Sequence, residues 1–433
     1  MRPMKDSGVE WIGKIPENWN VGRLKNIGET TIGLTYSPKD VVDSGILVLR
    51  SSNVQNGKIS LLDNVYVSKS LKIPEKLFVK EGDILICSRN GSRKLIGKCA
   101  VIDKNIEECS FGAFMTIFRS KFNNYVYHIF NSDIFSFHIG TFLTSTINQL
   151  TNSNLNSIQI PLPPIPEQTH IASFLDKKCA AIDSAIEKQR ASIDKLKEYR
   201  QAVITEAVTK GLNPDVPMKD SGVEWIGEIP EEWDVTKVSM LYNVILGKML
   251  SNNPSDEFDS LENYLCAANL KWDGIRIDEV KRMWFSETEK SRYLLTKGDI
   301  VVTEGGDIGV SSEYLGEASP CYIQNAVHKV TAKDKSASNK LFYYWMCAVK
   351  NSGYLDLICN KATIAHYTKE KLCTTPVLAI PIKEQTEIAA YLDEKCSSID
   401  ETVSGKEKLI EKLEEYKKSL IYEAVTGKIE ITA

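Results

Sequence analysis

The sequence predicts an α+β protein. It should hold two α/β domains, each with a mostly antiparallel curved sheet, separated by two long helices that form an antiparallel coiled coil, with an internal pseudo-twofold repeat relating the halves. Three observations predict this. The opening residues occur twice, a long amphipathic helical pattern occurs twice, and each helical pattern follows a stretch of short β-rich runs.

The repeat is the strongest signal. Residues 4–21 read MKDSGVEWIGKIPENWNV and residues 218–235 read MKDSGVEWIGEIPEEWDV, with fifteen of eighteen positions identical at an offset of 214. Residues 167–209 align without a gap on 384–426, with 21 of 43 positions identical at an offset of 217. Between these anchors the halves diverge, leaving echoes such as EGDILICSRNGS (81–92) against KGDIVVTEGGDI (297–308), and VLRSSNVQNGKI (48–59) against YLCAANLKWDGI (264–275). Drift is concentrated in one stretch while the frame stays close, which fits two modules of different specificity on one scaffold. The chain of 433 residues therefore divides into a first variable domain (1–160), a central helical spacer (161–213), a second variable domain (214–378) and a C-terminal helical spacer (379–433).

In the first variable domain the β-rich runs are GILVLRSS (45–52), GDILICS (82–88), GKCAVID (97–103) and AFMTIFRS (113–120). In the second they include GDIVVTEG (298–305) and NAVHKVTA (325–332). Helical stretches follow, YVYHIFNSDIFSFHI (125–139) and KLFYYWMCAVKNSGYL (340–355).

The loops carry the candidate readout. SRNGSRKLIGK (88–98) gathers Arg89, Asn90, Arg93 and Lys94 around Gly91. Arginine suits guanine edges and asparagine suits adenine edges in a DNA major groove, although a solvated hairpin tip has the same composition. TEGGDIGVSSEY (303–314) offers Glu304, Asp307, Ser311 and Ser312 without Arg or Lys. Acidic groups accept from cytosine, and serine reads either partner. TSTINQ (144–149) and KATIAH (361–366) sit at matching places before the helices. Thr146, Asn148, Gln149, Thr363 and His366 are candidates for phosphate or base contact there, while the shared Thr-Ile equally suits a structural turn.

In the helical patterns apolar residues recur every 3.5 residues. The first copy gives Ala172, Cys179, Ile186, Ile193, Arg200, Ala207 and Leu175, Ile182, Gln189, Leu196, Val203. The second gives Ala389, Cys396, Val403, Ile410, Lys417, Ala424 and Leu392, Ile399, Lys406, Leu413, Leu420. Both copies break the seam with polar residues at the same places, Gln189/Lys406 and Arg200/Lys417. PLPPIPEQ (161–168) and AIPIKEQ (379–385) mark each start with proline and a glutamate near the positive helix end. Each seam needs a partner, and the simplest is the other copy, antiparallel. Packing each helix on its own domain is the alternative, but a rod of about 65 Å overhangs a domain with a radius of gyration near 15 Å.

Composition narrows the function. Hydrophobic residues at 42% and charged residues at 25% describe an ordinary globular protein. No apolar run reaches membrane-spanning length, and the N-terminus lacks a signal-peptide core, so a cytoplasmic protein is expected. Net charge is −4, with the first variable region net basic and the second net acidic, so the chain alone should hold DNA weakly. The ten cysteines contain no C-x-x-C and do not cluster with the histidines, so no metal is expected. Catalytic patterns are also missing. The nearest to N/D-P-P-Y/F are NPDV at 213 and NPSD at 253, there is no G-x-x-x-x-G-K-S/T, Pro214-Asp215 has no D/E-x-K in reach, and Asp176-Lys177-Lys178 lies on a helix. No catalytic residue is assigned.

The duplicated MKDSGVEWIG…IPE.W opening, the GDIL and GDIV runs followed by glycine loops, and the PLPPIPEQ…IA.FLD helix entry with its repeat resemble the specificity subunit of Type I restriction–modification systems. The resemblance covers essentially the whole chain. The second entry departs from it, reading Ala379-Ile380-Pro381-Ile382-Lys383 where the first has a double proline. The resemblance implies two target-recognition domains, each reading half of a bipartite double-stranded DNA sequence, with the helices setting the spacer. It also implies two modification (methyltransferase) subunits using S-adenosylmethionine and restriction (endonuclease) subunits using ATP and Mg, with no cofactor on this chain. A coiled-coil scaffold that binds proteins without base specificity is the competing reading.

Overall fold

The computed structural model describes residues 2–106, 108–143, 148–359 and 365–431. Two compact units emerge, one formed by Met1–Gln189 with Glu407–Ala433 and the other by Arg190–Lys406. Each unit takes one variable region and one half of each long helix.

The duplicated opening folds the same way in both units. Met4–Asp6 pairs with Lys14–Pro16 in an antiparallel hairpin, and Met218–Asp220 pairs with Glu228–Pro230 in the same register. Ser7 N–H donates to Gly13 O, and Ser221 N–H to Gly227 O, both at 3.0 Å. Apolar residues of the motif then turn inward, and Trp19 and Trp233 are among the largest fully buried side chains. The next strand, Asn20–Arg23, pairs with Gln159–Leu162, and Asp234–Lys237 pairs with Pro376–Ala379. In each unit the strand that ends the duplicated opening therefore pairs with the stretch leading into a long helix, far away in sequence.

The variable regions share a four-stranded antiparallel sheet. Its order in the first unit is Cys99–Val101, Ile84–Cys87, Met115–Arg119, Glu29–Ile32, and in the second Ser311–Glu313, Ile300–Thr303, Val327–Ala332, Tyr242–Leu246. The strand Ile84–Cys87 is apolar throughout because it is covered on both faces. Ile84 and Ile86 pack with the helical layer, whereas Leu85 and Cys87 join a separate core beneath the second sheet. That second sheet contains one parallel pair, Ser110–Phe111 with Ile46–Leu49, matched by Tyr322–Ile323 with Ser260–Leu265.

The long helices are α1 (Ile165–Lys210) and α2 (Ile382–Val425), about 69 and 66 Å at 1.5 Å per residue. In the first unit Tyr125 Oη lies 3.1 Å from both Pro161 O and Val425 O, so the end of α2 meets the start of α1. In the second unit Arg200 lies 3.1 Å from Asp400. Within each unit the helical segments thus run antiparallel. Leu175, Ile182, Ile186, Ile193, Val203, Leu392, Ile399 and Leu420 of the expected seam are buried, whereas Leu196, Val403, Ile410 and Leu413 are half-buried. Near the far ends of both helices Ile204, Val208, Ile421 and Val425 are buried as well. A 3.5-residue seam does not include them, because here the helix also packs into its own unit's core. The far end of each helix thus packs on the variable region of the other repeat, a contact that the own-domain reading does not describe.

Eight of the ten cysteines are buried. Among the described residues no helix is long and apolar enough to cross a membrane.

Candidate nucleic-acid interface

In the first unit the chain leaves the central strand Ile84–Cys87 at Ser88 and Arg89, whose N–H groups both donate to Phe114 O at 3.0 Å. Leu150 N–H donates to Ser88 O at 2.7 Å, and Arg89 forms a lone antiparallel bridge with Gln149. The loop after the strand and the segment before α1 are thereby brought together. Arg89 is exposed, with its guanidinium 5.1 Å from the centre of the half-exposed Phe114 ring. A flat cation beside an open aromatic face suits base edges and stacked bases.

The second unit repeats this junction with other chemistry. Tyr367 N–H donates to Glu304 O at 2.7 Å, and Glu304 N–H donates to Ala326 O at 2.9 Å. Gly305 lies against His366, where an added Cβ would sit 3.6 Å from Nδ1. Burial lifts the Glu304 carboxyl above the ordinary carboxylate range, while neighbouring His366 pulls it down. One backbone frame therefore presents Arg89 and Gln149 in one unit, and Glu304 and His366 in the other.

Other candidates are engaged in building the frame. Asn90 donates to Ser51 Oγ at 3.0 Å and accepts from Ser92 N–H at 2.9 Å. Arg93 donates to Leu143 O at 3.1 Å, just past the helix Asp133–Phe142, so it serves that helix's end. Lys94 is exposed, and Asn148 is half-buried. Asp307 is held by Lys350 at 2.5 Å. Thr146 and Thr363 lie outside the described residues.

Ser311 and Ser312 correct the sequence reading. They were expected on a loop, but they belong to the strand Ser311–Glu313 and are 0% and 2% exposed. Ser311 donates to Gly309 O at 3.1 Å and Ser312 to Lys271 O at 2.5 Å. Two serines in a row masked the β pairing with Val301 and Val302, and their buried hydroxyls cannot reach a ligand.

Sequence reasoning missed the neighbouring triplet Arg50-Ser51-Ser52. It borders a cleft of about 740 Å³ shared with Tyr36, Asp63 and Phe114. The signal was in the alignment. Asn53 and Asn269 are shared because each accepts a backbone N–H three residues back, at 2.8 and 2.9 Å, and donates to a backbone carbonyl seven residues on. The residues just before them differ in chemistry, Arg50-Ser51-Ser52 against Cys266-Ala267-Ala268. A fixed turn with changed tips is the expected form of a specificity element.

Comparison with known proteins gives a consistent picture. The family model described as Type I restriction modification DNA specificity domain matches residues 16–195 and again 230–415. The chain is 24% identical to the Type I restriction enzyme EcoKI specificity subunit of Escherichia coli (strain K12), over 96% of this chain and 90% of that one. It is 26% identical to the putative MjaX specificity subunit of Methanocaldococcus jannaschii, over 97% and 96%. It is 32% identical to the StySPI specificity subunit of Salmonella potsdam over about half of each chain, 49% and 47%. A solved chain from a study of assembly and conformational transition of the type I R-M system superposes with a TM-score of 0.73 at 14% identity, covering 96% of this chain and 99% of that one. The HsdS subunit from Thermoanaerobacter tengcongensis superposes with a TM-score of 0.50 at 14% identity, covering 96% and 98%.

Proposed function

Because the chain belongs to the Type I restriction–modification DNA specificity family, we propose that it is the sequence-reading subunit of such a complex, each unit reading one half of a bipartite DNA target. The observation that carries this is the paired junction. Leu150 to Ser88 and Tyr367 to Glu304 are the same hydrogen bond at the same length, yet the side chains beside them differ in charge and in donor–acceptor pattern. Direct readout needs this combination of a fixed frame and exchangeable tips.

In this reading the chain is non-catalytic, acts in the cytoplasm and holds no cofactor. Two modification subunits dock on it and supply S-adenosylmethionine chemistry, and restriction subunits supply ATP- and Mg-dependent cleavage. α1 and α2 set the gap between half-sites. The net charge of −4 supports reliance on partners, since a chain with so little excess cation gains little from phosphate neutralisation.

The test is to assemble the chain with its modification subunits, supply S-adenosylmethionine and a random DNA library, and map the methylated adenines. The expected result is one asymmetric two-part motif with a fixed gap. Methylation without sequence preference would refute the reading and favour a plain protein-binding scaffold.

A further inference from the structure

The two units treat one site differently. In the first unit Trp19 Nε1 donates to Glu167 Oε2 at 2.8 Å. The Arg2 guanidinium lies 4.9 Å from the centre of the Trp19 ring, ion-pairs with Glu167, and donates to Gly427 O at 3.3 Å. An indole face, a carboxylate and a helix-end carbonyl thus hold one arginine head.

In the second unit the same frame recurs. Trp233 Nε1 donates to Glu384 Oε2 at 2.8 Å, and Gly211 closes the end of α1. The residue aligned with Arg2 is Val216. In place of the arginine head there is a cavity of about 340 Å³, lined by Gly211, Glu231, Glu232, Trp233, Glu384 and Glu387 among others. That volume falls within the ordinary range for ligand pockets. The lining has also gained charge, for Glu232 replaces Asn18 and Glu387 replaces His170. Lys210, exposed at the last turn of α1, is the lining's basic residue. The site has thus lost its own arginine and gained two carboxylates.

We propose that this cavity receives an arginine side chain carried by another polypeptide. A guanidinium matches the geometry better than an ammonium, because it can lie flat on Trp233 while its fork engages Glu384. The chain itself closes the route used in the first unit. There Pro3 O accepts from Glu17 N–H at 3.1 Å and the arginine precedes it; here Pro217 O accepts from Glu231 N–H at 2.8 Å and valine precedes it. The cation must therefore enter from outside, past the exposed Glu231, Glu232 and Glu387.

The test is calorimetric titration of the full chain, without DNA or other subunits, with four probes: acetyl-Gly-Arg-Gly-amide, its citrulline and lysine counterparts, and free arginine. The arginine peptide should bind in the range of about 1–10 mM, and the neutral citrulline peptide should be at least about tenfold weaker. The lysine peptide should fall between them. Val216→Arg, which recreates the first unit's arrangement, should abolish binding. Should that variant misfold, the surface pair Glu232→Asn with Glu387→His should still weaken binding several-fold. Equal binding of citrulline and arginine peptides, or no binding of the arginine peptide, overturns the site. Free arginine binding about tenfold tighter than the peptide overturns the polypeptide origin. Since the assay contains no DNA, its failure leaves the specificity reading standing.

Discussion

Lys417 Nζ lies 2.6 and 2.7 Å from the two carboxylate oxygens of Asp183, so a residue that breaks the apolar seam of α2 finds its partner on α1. In the other unit Arg200, the corresponding break in α1, lies 3.1 Å from Asp400. Asp183 and Arg200 are seventeen residues apart on α1, and Asp400 and Lys417 are seventeen apart on α2. Charged residues in a seam thus fix alignment rather than add much stability.

The Asp183–Lys417 pair is half-exposed, so its net contribution is about 0–1 kcal/mol. Lys417→Ala should therefore lower urea-unfolding stability by less than about 1 kcal/mol. Lys417→Glu places like charges together and should cost more, and adding Asp183→Lys should recover most of that loss. A double mutant no more stable than Lys417→Glu alone would show that the pair does not set register.

Arg89→Ala in the assembled complex should weaken target binding roughly five- to a hundredfold, the range of one good base contact, and relax one position in one half-site. Ser312→Ala should leave the motif unchanged and cost about 1 kcal/mol of stability, because its hydroxyl serves Lys271 O inside the sheet. Footprinting and selection from random DNA check the first expectation, and chemical denaturation checks the second. A changed motif in Ser312→Ala would show that this strand is read after all.

Much of the fold was legible because duplication exposed it. The hairpin, the helix entries and the seam each appear twice, and a pattern kept in two copies marks residues that the frame requires. Glu167 and Glu384 were read as dipole partners at helix starts, whereas the structure adds a second role as acceptors for buried Trp19 and Trp233. Nothing local in the sequence reveals that long-range bond. The site was less legible for a physical reason. Composition distinguishes polar from apolar residues but not outward from inward, so Ser311 and Ser312 looked like loop tips, and Arg93 looked free although a helix end uses it. Arg89 with Gln149, and Glu304 with His366, were chosen as separate candidates, and the strand-to-loop junction unites them.

His328 gives the second unit a sensitivity to acid. Its Nε2 lies 2.8 Å from Tyr367 O and therefore carries the proton, while Nδ1 is buried without a hydrogen-bond partner among the described residues. Burial pushes its pKa down to about 4, against about 6.5 in an unfolded chain. Between those values the unfolded state binds a proton that the folded state refuses. Stability is therefore full above pH 6.5 and falls as pH drops towards 4, by about 3 kcal/mol over the window. The residue in the same place in the first unit, paired with Ile86 as His328 is paired with Val302, is Thr116, which does not titrate. Urea midpoints of the wild type and His328→Gln at pH 7 and pH 4.5 should show the smaller acid loss in the variant. Identical losses would exclude this histidine as the cause.

The register of α1 and α2 makes the spacing role testable by matched deletion. Residues 190–196 of α1 and 404–410 of α2 are the matched seven-residue stretches, counted along the chain, between the two ion pairs. Deleting both segments removes seven residues from each rod, close to two helical turns, so the Lys417–Asp183 and Arg200–Asp400 pairs can both re-form. The rods shorten by about 10 Å, which corresponds to about 3 base pairs of DNA. Methylated-adenine mapping of the reassembled complex should then show the same two half-sites with a gap about 3 base pairs shorter, or no target where DNA cannot twist to meet the rotated halves. Deleting one segment alone slides one helix past the other and breaks one ion pair, so that variant should unfold at lower urea than the matched deletion. An unchanged gap after the matched deletion would mean that the rods do not measure the DNA.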